Sequence, residues 1–284
     1  MKTETFGNRL FDKVHTVKGV LFMQGEFTQL TYQAFDKYVE YIKQSNETEI
    51  ALTYPIGITP DDKPIFSTYK YSKIDLYKRY QYLGFTQLPI NGIYQLVTLM
   101  ESLLVDILRE ILLEFPDKIS SKRKFDYELI SNATSLEQIK LFVINSVLNE
   151  LTYKSPKDFA EEFKNFVGID FLAKPVFHNY IELKATRDIH IHNQGIANEI
   201  YLSKSGKNAR VKSGETLAVD TIYFLKSYEW CIQIANILEK ELNDIWPSSD
   251  YEERQRLIYD ENKSREEKII EAEMIEQKKK ERKK

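Results

Sequence analysis

A short stretch in the second half of the chain combines the side chains needed for acid–base chemistry on a phosphate. Residues 187–193 read Arg-Asp-Ile-His-Ile-His-Asn and hold two of the four histidines. A neutral imidazole can take or give a proton near pH 7. A guanidinium binds phosphate oxygens through paired N–H donors and stabilises charge that builds up in a transition state. Arg187, Asp188 and His192 are therefore the candidate catalytic residues.

The spacing of these residues suggests how they would be used. On a helix, Asp188 and His192 are four residues apart and share a face, so the carboxylate can orient the imidazole. Arg187 and His192 are five residues apart, about 140° around the helix, so one copy does not easily aim both at a single phosphate. Two copies around a two-fold axis could bring them together from opposite sides. The spacing therefore suggests a homodimer with a shared cleft.

Other polar side chains nearby are candidates for contacts with a substrate, namely His190, Asn193 and Asn198. Attack of a ribose 2′-hydroxyl on the adjacent phosphate needs a base, an acid and charge stabilisation, and no metal ion. Cleavage of RNA is one reaction that these residue types make possible, and composition alone does not demonstrate it. The sequence holds no His-Glu-x-x-His or clustered Cys/His pattern, although scattered carboxylates could still assemble a metal site. We expect no metal and no cofactor.

The elements that must position these residues are predicted to be helices. Apolar residues at helical spacing or capping signals mark five of them, at about 31–44, 93–115, 135–151, 155–168 and 222–245. The candidate residues lie on a further helix that begins after Pro175. These patterns predict an all-α bundle of four to five long helices.

The domain organisation follows from changes in composition along the chain. We expect a mixed N-terminal extension over 1–87, the helical domain over 88–247, and a charged tail, helical or disordered, over 248–284. Prolines indicate extended chain with turns around 53–64. Turn residues at 203–208, between short apolar segments, predict a small hairpin insertion in the helical domain.

Composition excludes several classes of protein. Hydrophobic residues make up 42% of the 284 residues and charged residues 29%, which is enough to bury a core. The net charge of −3 provides no global attraction to nucleic acid, so positive charge for RNA must be local. The single cysteine, Cys231, rules out an intramolecular disulfide. With neither a signal-peptide pattern nor a long apolar run, we expect a cytoplasmic protein with no membrane partner.

The segment from Arg187 to His192 resembles the R-x4-H motif of HEPN domains, and the likeness covers about residues 88–245. Its continuation through Asn193 and Asn198 is similar to bacterial HEPN proteins of the RNase-toxin branch, which are linked to host defence. The resemblance implies a dimeric helical bundle that cuts RNA without metal, as a toxin or anti-phage effector, with a possible antitoxin or defence-system partner. At the position where some HEPN toxins carry a modified tyrosine, this chain has Gln194.

Other interpretations of the same residues stay open. Arg187 and His192 could be a structural pair that caps a helix or bridges a dimer. The chain could be a HEPN-like dimer that binds RNA, nucleotide or a partner protein without cutting it, or a helical scaffold. A single histidine suffices at the R-x4-H spacing, so His190 could contact RNA or face away from it.

Overall fold

The computed structural model describes residues 5–120, 123–124, 131, 133–257, 260, 263–264, 267 and 270. Between residues 6 and 245, the described part of the chain contains eight α-helices and one two-stranded sheet, which confirms the prediction of a predominantly α-helical protein. The elements are α1 (Phe6–Gln44), β1 (Glu49–Ile58), β2 (Pro64–Ser72), α2 (Lys73–Tyr82), α3 (Leu88–Glu114), α4 (Leu136–Thr152), α5 (Pro156–Val167), α6 (Pro175–His192), α7 (Glu199–Ser205) and α8 (Thr221–Ile245).

Helix α3 lies at the centre of the main hydrophobic core. Its residues Leu96, Met100, Leu103 and Ile107 are fully buried, and they recur three or four positions apart as one face of a helix requires. Helices α1, α4, α5, α6 and α8 contribute further buried side chains to the same core. The core therefore fixes α3 and α6 against each other, and these two helices carry most of the candidate site.

The N-terminal segment shares this core. Helix α1 begins after Thr5, whose side chain accepts a hydrogen bond from the Asn8 amide, and it is 39 residues long. The predicted helix at 31–44 is its C-terminal third. Leu10, Val14 and Leu21 on the remaining part pack into the main core. The chain is also helical without interruption from α2 through a π-helical turn into α3, so the predicted boundary at residue 87 coincides with no break in the backbone.

The extended chain predicted around 53–64 is confirmed, and it forms a β-hairpin. Strands β1 and β2 pair antiparallel, with a register shift between Pro55 and Gly57. Proline cannot donate to a strand ladder, and a bulge accommodates it. The hairpin is longer than the sequence indicated, reaching from Glu49 to Ser72.

The hairpin insertion predicted at 203–208 is wrong. Residues 199–205 form helix α7, and residues 206–208 form a short 3-10 turn. Asn198 caps α7 by accepting from the Tyr201 amide, and Tyr201 is buried with its hydroxyl bonded to Glu182. The turn residues of this segment end a helix instead of joining two strands, since Gly206 is the C-terminal cap of α7 with a positive φ of 54°.

The described start of the tail is helical over residues 251–257 and packs against α1. Arg254 forms an ion pair of 2.9 Å with Asp12, and its guanidinium lies 4.8 Å from the centre of the Phe11 ring. Most of the rest of the predicted tail, including the basic run at 278–284, lies outside the described residues. Within the described residues, every helix is too short or too polar to cross a bilayer.

Candidate functional site

The candidate residues lie on the last two turns of α6 and just beyond its end. Pro175 opens the helix, and its C-terminal cap is Asn193, whose N–H donates to the Ile189 carbonyl at 2.8 Å. Gln194 and Gly195 then adopt positive φ values of 53° and 78°, which reverse the chain. His192 is thus the last helical residue, next to a tight turn.

Arg187 belongs to a cluster of charged side chains drawn from three helices. Its Nη2 donates to Glu101 Oε2 on α3 at 2.8 Å, and Lys184 Nζ is 2.5 Å from the other oxygen of Glu101. Asp188 lies 3.3 Å from Arg187 Nε and accepts a hydrogen bond of 3.1 Å from Lys204 on α7. We call these five residues the Arg187 cluster. It holds three cations and two carboxylates, so it carries one positive charge in excess.

The guanidinium of Arg187 keeps unused hydrogen-bonding capacity. Among the described residues, its only hydrogen bond is the one from Nη2 to Glu101. The Nε–H is buried and lacks a hydrogen-bond partner in this part of the chain, despite the nearby Asp188 oxygen. A buried donor without a partner costs free energy, and this nitrogen is shielded from solvent, so any ligand would bind at the exposed part of the guanidinium. Arg187 is 19% exposed, so an oxygen ligand could reach it from one side.

His192 stands apart from the Arg187 cluster. Its side chain is exposed and makes neither a hydrogen bond nor an ion pair with the described residues. The expected contact between Asp188 and His192 is absent there, because Asp188 pairs with Arg187 and Lys204 instead. Two cations within reach stabilise the carboxylate more than one hydrogen bond to an imidazole would. The structure therefore brings Arg187 and Asp188 together and leaves His192 open to solvent.

His190 is half-buried, and it has a structural contact. Its Nε2 lies 2.8 Å from the Leu217 carbonyl oxygen, so this nitrogen carries the proton. Burial lowers the pKa of His190, with a smaller contribution from Arg210, and the hydrogen bond to Leu217 opposes the shift. His190 is therefore held neutral in the folded protein and ties α6 to the segment before α8.

This lowered pKa predicts a loss of stability in mild acid. Because the unfolded chain takes up the proton first as the pH falls, the contribution of His190 is present above about pH 6.5 and is lost towards the lower, folded pKa. We expect the free energy of unfolding, measured in urea between about pH 7.5 and 5, to fall less in His190→Gln than in the wild type. His15→Gln, at an exposed position, serves as the control. Equal pH dependence in His190→Gln and the wild type would refute the expectation.

Gly195 fits closely against the imidazole of His190. A Cβ added at this position would lie 2.9 Å from Cε1 of His190, and φ is +78°. Gly214 has a similar φ of +84° but open space around it. We expect Gly195→Ala to destabilise the protein by about 1–3 kcal/mol, through backbone strain and the clash with His190. Gly214→Ala should destabilise it by less, because it introduces backbone strain alone. Chemical denaturation of both variants measures the difference, and equal losses would show that the contact with His190 is unimportant.

The two asparagines have local roles in this structure. Asn193 Nδ2 donates to the Ile196 carbonyl at 2.5 Å and so closes the turn after α6. Asn198 Oδ1 accepts from the Tyr201 amide at 3.0 Å as the N-cap of α7. These contacts position the backbone around His192. Contact of either amide with a substrate stays a prediction.

A buried network beneath the site was not foreseen. Glu182 is 2% exposed and accepts hydrogen bonds from Thr186, Tyr201, Arg210 and Tyr223 over distances of 2.6–3.0 Å. Burial, helped by the nearby carboxylate, raises the pKa of the Tyr223 hydroxyl well above its usual value, so the hydroxyl remains a donor. The network joins α6 to α7 and α8. The i, i+4 pair of Glu182 and Thr186 was the one signal of it in the sequence.

In the described residues, we find no group of three or more His, Cys, Asp or Glu side chains arranged to hold a metal ion. Comparison with known proteins adds nothing to the geometry. No protein-family model, curated protein or solved structure matches this chain.

Proposed function

We propose that this protein is a metal-independent endoribonuclease of the HEPN type. One observation carries the proposal: the helix that ends in an exposed histidine, which makes no hydrogen bond or ion pair with the described residues, also carries, five residues earlier, a partly exposed arginine in a cluster of net positive charge. An exposed imidazole is free to exchange protons with a bound RNA. The excess charge supplies the local attraction for phosphate that the net charge of the whole chain does not.

The proposed reaction divides the work between these side chains. His192 would take the proton from a ribose 2′-hydroxyl, or give one to the leaving group. The 2′-oxygen attacks phosphorus, the bond from phosphorus to the 5′-oxygen breaks, and that oxygen leaves with a proton. The products are a 2′,3′-cyclic phosphate and a 5′-hydroxyl. Arg187 would bind the phosphate and stabilise its developing charge, and Asp188 would position Arg187.

A homodimer would complete the site. Large apolar side chains close to His192 in the sequence are exposed, namely Ile191, Ile196 and Ile200. Apolar residues clustered on a surface commonly mark an interface. Two copies meeting through this surface would place two motif helices side by side, so that Arg187 of one protomer and His192 of its partner could act on one phosphate.

The biological setting follows from the resemblance alone. A bundle of the HEPN type with this motif would act in the cytoplasm as a toxin or an anti-phage defence effector. Its activity would then be restrained or triggered by an antitoxin or another component of the defence system. With Gln194 in place of tyrosine, modification at that position is not the means of restraint.

A second function is favoured by the contacts of Arg187. The guanidinium is paired with carboxylates of its own chain, and Asp188 does not orient His192. A site in this state could hold RNA, nucleotide or a partner protein without cutting it. The two functions differ in one measurable respect, since a binding module retains RNA intact.

The test is incubation of the purified full chain with RNA in EDTA, followed by analysis of the product ends. We expect cyclic-phosphate and 5′-hydroxyl ends, and no cleavage of a matched RNA that has 2′-deoxyribose at the cut site. Cleavage of the deoxy-substituted RNA would overturn the proposed chemistry. RNA that is bound but stays intact at high protein concentration would favour the binding module.

A further inference from the structure

A cavity of about 360 Å³ opens beside the Arg187 cluster. It lies between α3, α6 and the junction from α4 to α5, and its size is within the range of pockets that hold small organic groups. Most of its lining is apolar, and three of its lining residues are aromatic: Phe159, Phe177 and Tyr180. Such a lining accepts a flat ring more readily than a charged group.

Tyr180, one of the residues that line the cavity, carries a polar group without a hydrogen-bond partner among the described residues. Tyr180 is 3% exposed, and its hydroxyl makes no hydrogen bond to any of the described residues. Burial, with Glu101 as a lesser cause, raises the pKa of this hydroxyl well above its usual value, so it stays protonated and can donate. A buried hydroxyl without a partner is costly, and because this one is shielded from solvent, a ligand in the cavity reaches it only after a neighbouring side chain shifts.

The polar side of the cavity is shared with the candidate active site. Glu101 and Lys184 line the cavity, and they are also the partners that connect α3 and α6 in the Arg187 cluster. Thr98 and Ser102 add hydroxyl groups at exposed positions of α3. An RNA whose phosphate is bound at Arg187 would therefore have its neighbouring nucleotide at the entrance of this cavity.

We propose that the cavity receives an unpaired nucleobase of the RNA, next to the phosphate bound at Arg187. A base combines flat apolar faces with polar edges, which matches an aromatic lining that has hydroxyl and charged groups on one side. Unpaired bases are the usual means by which proteins recognise single-stranded RNA. The proposal rests on the proposed function for the phosphate site, and it predicts a base preference at one position beside the cut.

The experiment measures binding, which does not depend on cleavage. Short single-stranded RNAs of four base compositions, and the four free nucleosides, are titrated in EDTA onto the full chain and onto Ser102→Trp and Thr98→Trp, which fill the entrance. Leu113→Trp is the matched control, because it adds the same side chain at an exposed position of α3 outside the cavity. All three substitutions are at exposed positions, and thermal unfolding checks that the variants fold.

We expect both entrance variants to weaken binding of at least one RNA and of its nucleoside by about tenfold or more, with Leu113→Trp unchanged. Equal binding by the wild type and the entrance variants would overturn the inference, whether or not RNA is cleaved. Nucleoside binding without RNA binding would also overturn it, because the cavity would then serve a free nucleotide. If the wild type binds bases through the cavity but never cuts RNA, the proposed function fails and the base site stands.

Discussion

Replacing His192 by alanine is expected to lower the rate of RNA cleavage by about 10²- to 10⁴-fold, the usual contribution of a general acid or base. The side chain is exposed and has no partner among the described residues, so its loss should leave the fold intact. Arg187→Ala is expected to cost about 10²- to 10³-fold, as for other donors that stabilise charge in a transition state. Rates are measured on one defined RNA in EDTA, with circular dichroism to verify folding.

Two matched variants control for nonspecific effects. His15→Ala removes an exposed histidine from α1, and Arg109→Ala removes an arginine of α3 that bonds to Asn145. Both should cleave at the wild-type rate, since neither residue belongs to the Arg187 cluster. A His192→Ala protein that keeps full activity would exclude His192 as the acid or base.

Mixing the two inactive variants tests whether the site is shared between protomers. If each site combines Arg187 of one protomer with His192 of the other, a heterodimer of Arg187→Ala and His192→Ala has one intact site. Random pairing would then restore about a quarter of the wild-type activity. If heterodimers form but RNA cleavage is not recovered, either both residues of a site lie on one protomer or the two residues do not take part in the reaction.

Glu182→Ala is expected to lower the free energy of unfolding by about 3–5 kcal/mol. The substitution removes the acceptor of the buried hydroxyls of Tyr201 and Tyr223, and it leaves the guanidinium of Arg210 without its carboxylate. Each buried donor that loses its partner destabilises the folded protein, because water does not reach it to replace the lost hydrogen bond. Because Glu182 ties α6 to α7, the variant should also loosen the contact between Lys204 and Asp188.

The matched control is Glu150→Ala. Glu150 also pairs with two cations, Arg123 and Lys154, but its side chain is 51% exposed. Screening by solvent limits such a pair to about 0–1 kcal/mol. Urea denaturation of both variants measures the loss in the free energy of unfolding and so separates the effect of burial from that of charge pairing. Similar losses in the two variants would show that the burial of Glu182 does not increase its contribution to stability.

The sequence by itself determined the elements that depend on local interactions. Helix α4 begins after Ser135, α5 after Ser155 with Pro156 in its first turn, and α8 after Asp220. Each start is encoded by a capping side chain within three residues of the backbone group it satisfies. The apolar period of α3 predicted its C-terminal end but not its start, which lies at Leu88 instead of Ile93 because Pro89 is in the first turn of the helix. The placement of the candidate residues on α6 followed from Pro175. Local signals gave a wrong prediction where the same residue types occur in two kinds of structure. The turn residues at 203–208 are typical both of a hairpin turn and of the end of a helix, and here they end α7.

Only the tertiary structure decided which side chains meet. Glu101 and Arg187 are 86 positions apart, and nothing in either segment specifies the other. Spacing paired Asp188 with His192, and the packing of α7 beside α6 brought Lys204 to it instead. The buried Glu182 network and the cavity beside Glu101 depend on the same helix packing. Contacts of this kind form between helix surfaces that become neighbours only when the apolar faces of separate helices are buried together. A local sequence pattern therefore does not predict them.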